Sequence, residues 1–127
     1  MTTTLDVFRN EKDIRSFAPE AVIFHEGERG HEMFAVLDGS VEIRKGDVVL
    51  ATLGAGSIFG EMALIDDAPR SADAVAKTAC RVAVVDERSF LRLIAHNPQI
   101  ALQLMTILSE RLRDTDQAAA RHEHRDD

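Results

Sequence analysis

The chain has 127 residues, 45% of them hydrophobic and 29% charged, a length and balance that suit one globular domain with its own core. No apolar run approaches the roughly 18 to 20 residues of a membrane span, the Met1-Thr2-Thr3-Thr4 start lacks the pattern of a secretory signal, and the lone Cys80 excludes an internal disulfide. With 22 acidic against 15 basic residues the net charge is -7 and there is no basic block, so duplex DNA and anionic membranes are poor direct partners and the cytoplasm is the expected location.

The stretch to about Ser16 is polar and weakly patterned, and it is read as an N-terminal arm or short helix around Leu5, Val7 and Phe8. From there the period becomes that of strands. Ala21–Phe24 is a short apolar run, and His25–Gly30 is a turn. Met33–Leu37 is a second run, closed by Asp38-Gly39, a pair that tolerates the positive φ of a tight hairpin. Val41–Arg44 alternates apolar and polar, Lys45-Gly46-Asp47 turns the chain, and Val48–Leu53 returns. Past Ile58–Arg70, two further strands are predicted over Ala72–Ala76 and Cys80–Val85. Short strands punctuated by glycine argue for a barrel or jelly roll.

After Asp86 the signature is helical. Asp86 or Ser89 can cap a helix containing Phe90, Leu91, Leu93 and Ile94. Asn97-Pro98 breaks it, and Pro98 suits the first position of a new helix. Ala101, Leu104, Met105, Leu108 and Leu112 then form a core-facing stripe, widened by Ile100 and Ile107. That width predicts a second covered surface, and with it homodimerisation through this helix. The tail from Ala118 is polar apart from alanines and is expected to fray.

The chemistry concentrates in Phe59–Ala72. Gly56 and Gly60 let backbone approach a ligand, and Glu61–Leu64 fits one short helical turn whose opening N–H groups favour an anion. Pro69 stiffens the approach to Arg70, whose guanidinium can grip a phosphate through paired charge-assisted hydrogen bonds. Glu61 accepts only: it repels a phosphate but suits a ribose hydroxyl.

Phe59-Gly60-Glu61-Met62-Ala63-Leu64 followed by Pro69-Arg70-Ser71-Ala72 resembles the phosphate-binding cassette of the cyclic-nucleotide-binding domain family. The similarity runs from about Phe17 to Asp116 and includes Gly27, Gly39, Gly56 and Gly60. It implies an α+β, mainly β fold: an eight-stranded antiparallel jelly-roll β-barrel over about 17–85, with a short cassette helix and C-terminal helices over about 87–117. The resemblance also implies the roles of a non-catalytic receptor. Glu61 would accept from the ribose 2′-hydroxyl, and the Gly60, Met62 and Ala63 backbone would meet ribose and phosphate. Arg70 would pair with the cyclic phosphate, Ser71 would add a hydroxyl, and Ala72 would supply an N–H where a side chain must be small. Thr115 and Asp116 match positions that contact the base.

The ligand so implied is cAMP, with cGMP as the alternative. The expected mechanism is a ligand-driven shift of the last helix that regulates an unidentified partner protein. Two departures stand out. Asp73 lies where relatives usually carry a neutral residue; its carboxylate would weaken phosphate binding unless it faces solvent, opposite residue 72. The effector modules of other relatives have no counterpart before Asp127, so a free-standing sensor is expected.

Plainer readings compete at each point. Arg70 with Glu61 could be a structural ion pair on an orphan roll that serves as a protein-interaction or oligomerisation module. Asp66-Asp67 reads as solvated charge. A metalloenzyme on a similar roll would want an H-x-H pair on its strands, and His25 has Gly27 at that spacing. His25, His31 and His96 stand far apart in the sequence, and His122 and His124 fall in the tail expected to fray rather than on a strand, so no metal and no cofactor are expected. Cys80, in a Val/Ala-rich strand, reads as buried packing.

Overall fold

The computed structural model describes residues 4–66 and 68–110. The chain divides at Arg92/Leu93 into two compact units. In the first, α1 (Thr4–Arg9) precedes eight strands: β1 Ile14–Phe17, β2 Val22–Phe24, β3 Glu32–Asp38, β4 Val41–Lys45, β5 Val48–Leu53, β6 Ile58–Phe59, β7 Asp73–Ala76 and β8 Cys80–Asp86. A single 3-10 turn, Glu61–Leu64, separates β6 from β7, and α2 (Glu87–His96) follows β8.

The strands form two antiparallel four-stranded sheets, ordered β1-β8-β3-β6 and β2-β7-β4-β5. This is the jelly-roll order, present as two sheets over one core rather than as a single closed barrel. Phe34, Val36, Phe59, Val82 and Val84 reach that core from the first sheet, and Phe24, Val41, Ala74 and Ala76 from the second. β3 is buried on both faces, because Met33, Ala35 and Leu37 are as deeply covered as Phe34 and Val36. α1 lies against β3 and contributes the buried Val7 and Phe8.

Three aromatic rings join the sheets. Phe34 and Phe59 stack at 5.1 Å within the first, and Phe24 of the second meets them at 5.7 and 6.1 Å. Each such pair contributes about 0.5–1.5 kcal/mol beyond its area. The β2–β7 ladder is irregular between Val22 and Phe24 and ends at the pair Phe24↔Ala74. The chain of β2 therefore leaves the sheet just where the Phe24 ring closes the core.

Two strands are not evident in the sequence. β1 opens at Ile14, inside the stretch read as a polar arm, and is mostly exposed; it forms because its residues 14–17 pair with β8 residues 80–83. β6 has only two residues, too few for any period, and is fixed by Phe34↔Phe59 and Ala35↔Ile58. Asp86 rather than Ser89 caps α2: its carboxylate accepts from the Ser89 N–H at 2.8 Å. In the second unit the Asn97 N–H closes on the Leu93 carbonyl, and residues 99–110 are helical. There Ile100 and Leu104 are buried whereas Met105, read as core-facing, stands exposed. The buried stripe thus begins one position earlier than predicted. Leu112 and the tail from 118 lie outside the described residues.

The Asp38-Gly39 hairpin is tightly constrained. Gly39 has φ 81°, and a Cβ there would come 2.3 Å from the Ala79 carbonyl oxygen and 2.6 Å from Cys80 Cβ. Gly39→Ala is expected to destabilise the fold by about 3 kcal/mol, combining backbone strain with overpacking, as read from denaturant melts. The Ser89 backbone and hydroxyl bonds hold the Asp86 carboxyl below its ordinary value. Stability from this cap is therefore full above the normal aspartate range and lost as pH falls through the depressed folded value. Asp86→Ala should weaken the protein in urea melts near neutrality, with the gap to wild type closing in acid.

Candidate functional site

The site is assembled around Arg70. Its backbone is fixed first: the Arg70 N–H donates to the Glu28 carbonyl and its own carbonyl accepts from the Gly27 N–H, both at 2.8 Å. This reciprocal pair ties the residue to the β2–β3 loop. The side chain then turns inward. Nη1 donates to the Gly60 carbonyl at 3.2 Å and Nη2 to the Glu32 carbonyl at 2.9 Å. The guanidinium carbon lies 4.4 Å from the Phe24 ring centre and 5.5 Å from that of Phe34, so the cation caps the aromatic seam between the sheets.

Two glycines make room for it. Gly60 (φ 72°) sits in the left-handed region at the head of the 3-10 turn, and a Cβ there would be 3.0 Å from Nη1 and 3.2 Å from the Phe34 ring. Gly30 is outside the left-handed region, so its backbone does not require glycine; the space does. A Cβ on Gly30 would stand 2.5 Å from Nη2 and 2.9 Å from Nε.

The electrostatics favour an incoming anion. Burial lowers the pKa of the guanidinium, and the carboxylates of Glu32 and Glu28 act in the opposite direction. Desolvation is the larger effect, and the hydrogen-bonded partners are neutral carbonyls. Each such bond to a charged group is worth about 1.5–3 kcal/mol, yet neither supplies a countercharge. An oxyanion at the remaining N–H edge of the guanidinium would reverse the desolvation penalty.

The other predicted residues are distributed around this centre. Glu61 follows Gly60 and is fully buried, both carboxylate oxygens being shielded from water. Met62 is exposed on the turn. The Ala63 N–H closes the turn on the Gly60 carbonyl at 3.2 Å, so that amide is engaged by the protein itself. Ser71 is exposed and Ala72 buried, on either side of the bend into β7. Thr115 and Asp116 lie outside the described residues. Asp73 is half-buried rather than solvated: its Oδ1 accepts from the Glu26 N–H at 2.6 Å.

Sequence reasoning missed Gly30, the Glu32 carbonyl, and the Phe24 and Phe34 rings. A second glycine in the turn, two residues before β3, was the available signal for Gly30. The carbonyl and the rings carried none, since backbone direction and ring packing are set by the sheets. A separate cavity of about 290 Å³ beside the turn is lined by His31, Ala63, Leu64, Ile65, Asp66 and Glu87. Its two carboxylates make it a poor seat for a phosphate. The Arg70 centre is the candidate.

Comparison with known proteins identifies the family. Residues 14–97 match the cyclic nucleotide-binding domain, and the chain belongs to that family. It is 32% identical over 117 residues to the cAMP-activated global transcriptional regulator CRP of Haemophilus influenzae, covering 87% of this chain and 52% of the relative. It is 37% identical over 82 residues to the cAMP-dependent protein kinase regulatory subunit of Hypocrea atroviridis, covering 65% of this chain and 18% of that one. The chain thus spans about half, or less, of the length of these curated relatives. A solved structure described as a cyclic-GMP-dependent signalling pathway that regulates bacterial phytopathogenesis is 31% identical with a TM-score of 0.76, covering 90% of this chain and 95% of that one.

Gly30→Ala is expected to cost about 1 kcal/mol in denaturant melts by pushing the guanidinium off the Glu32 carbonyl. In an Arg70→Ala background the same substitution should cost almost nothing; fully additive losses in the double-mutant cycle would exclude the contact.

Proposed function

We propose that this chain is a non-catalytic receptor for a cyclic mononucleotide, cAMP first and cGMP as the alternative. The observation that carries the reading is the half-desolvated Arg70 guanidinium held beside Gly60 on two neutral carbonyls. A cyclic phosphate supplies the countercharge that this group lacks in its present bonding. Ser71, exposed next to it, adds a hydroxyl donor, and the Gly60–Ala63 turn and the Ala72 N–H approach the ribose and phosphate. Thr115 and Asp116 are assigned to the base.

Glu61 is the proposed acceptor for the ribose 2′-hydroxyl. Because it is fully buried, a ribose reaches it only when the 3-10 turn moves. Ligand binding is in this way coupled to a conformational step, which we take to be transmitted to the last helix and from there to a partner protein. The nucleotide shifts that equilibrium only by its differential affinity for the two forms. The curated relatives named for cAMP favour that nucleotide. The likeness to a structure from a cyclic-GMP pathway, over nearly the full length of both chains, keeps cGMP as its rival. A cytoplasmic, homodimeric regulator that does not itself contact DNA is the setting that accords with the acidic balance.

A second reading draws on the same contacts. If the bonds from Arg70 to Gly60 and Glu32 are a permanent structural latch, the roll is an interaction or oligomerisation module without nucleotide. Calorimetry separates the two. Wild-type protein should bind cAMP, cGMP or both, and Arg70→Ala should weaken binding by about tenfold or more, since it removes charge-assisted bonds of about 1.5–3 kcal/mol each. Failure of both nucleotides to bind the wild type at high micromolar concentration would leave the interaction module as the surviving reading.

A further inference from the structure

We infer that Asp73 is a positioning residue for the anion site: its carboxylate stands in for a missing rung of the β2–β7 ladder and holds the β2–β3 loop against Arg70. The functional half of this inference rests on the receptor reading above.

Main-chain pairing between the two segments is interrupted. The β2–β7 ladder ends at Phe24↔Ala74. It resumes beyond the end of the sheet, where the Gly27 and Glu28 backbone exchanges two hydrogen bonds with Arg70. Between these points lies the Glu26 N–H, and the group that accepts it is a side chain, Asp73 Oδ1, at 2.6 Å. A charge-assisted bond of this length is stronger than a neutral amide rung. The His25 Nδ1 lies 4.0 Å from the same oxygen, so the carboxylate addresses consecutive residues at the start of the loop.

What the loop carries gives the contact its consequence. It begins after Phe24, whose ring supports the guanidinium, and includes Glu28, whose carbonyl fixes the Arg70 backbone. Near its end it holds Gly30, against which the guanidinium packs, and it leads into Glu32, whose carbonyl receives Nη2. Releasing Glu26 would free one end of the segment that sets the direction of Arg70. The carboxylate is taken up by the loop amide, so its role is to orient the cation; direct repulsion of a phosphate is the competing account.

The two accounts predict opposite signs. Asp73→Asn keeps an oxygen acceptor and removes the charge; Asp73→Ala removes both. Calorimetry with cAMP and cGMP is paired with the amide ¹H–¹⁵N shift of Glu26 measured without nucleotide. Positioning predicts affinity within about threefold of wild type for Asp73→Asn and about tenfold weaker for Asp73→Ala. It also predicts a downfield Glu26 amide proton that persists in the Asn variant and is lost in the Ala variant. Wild-type affinity in Asp73→Ala, or tighter binding by both variants, overturns the inference. Should the Ala variant fail to fold, a Glu26 amide shifted to its free position in Asp73→Asn, with affinity unchanged, overturns it equally. No binding by the wild type defeats the receptor reading and this role together, whereas wild-type binding with an indifferent Asp73→Ala defeats this role alone.

Discussion

The arginine guanidinium at position 70 joins parts of the chain that the covalent backbone keeps far apart. It donates to a carbonyl at the head of the 3-10 turn and to one at the start of β3, and it rests on a ring at the end of β2. The charge is thereby partly withdrawn from water, its hydrogen bonds to the described residues running to neutral carbonyls. A partly desolvated cation of this kind favours compensating contacts, and two carbonyls with two aromatic faces supply them in part. The residual imbalance is the feature on which the proposed anion site rests.

The jelly roll makes this arrangement possible. Antiparallel pairing places Phe59 opposite Phe34, one residue before the glycine that the guanidinium touches. The second sheet brings Phe24 over the same pair and sends the chain from β7 back towards Arg70. The site therefore sits where the strands of both sheets end, on a packed aromatic floor. Such a floor resists deformation.

The overall charge of the molecule and the chemistry of its site point in opposite directions. A net charge of -7 opposes anions at long range, but that field is screened within roughly 8 Å at physiological salt. At contact distance the decisive group of the proposed site is the Arg70 guanidinium. Glu28 and Glu32 stand close enough to favour the protonated arginine, yet at that end of β3 the guanidinium donates to the Glu32 carbonyl and not to its carboxylate.

By itself the sequence determined the strand-rich class, the Asp38-Gly39 hairpin and the helix after Asp86, and it marked the run from Phe59 to Ala72 as the candidate site. Each depends on residues close in sequence: alternation, a glycine that must take positive φ, a cap, an arginine after a proline. It did not determine β1 or β6, whose residues become strands only when β8 and β3 lie alongside them. Nor could it place Gly30 or the carbonyl of Glu32 beside Arg70, or aim Asp73 at the Glu26 amide, since such contacts are made by elements that meet only after two sheets have folded over one core. Tertiary structure decided those, because hydrogen-bond direction and the room for a side chain belong to the assembled backbone and leave no local periodic trace.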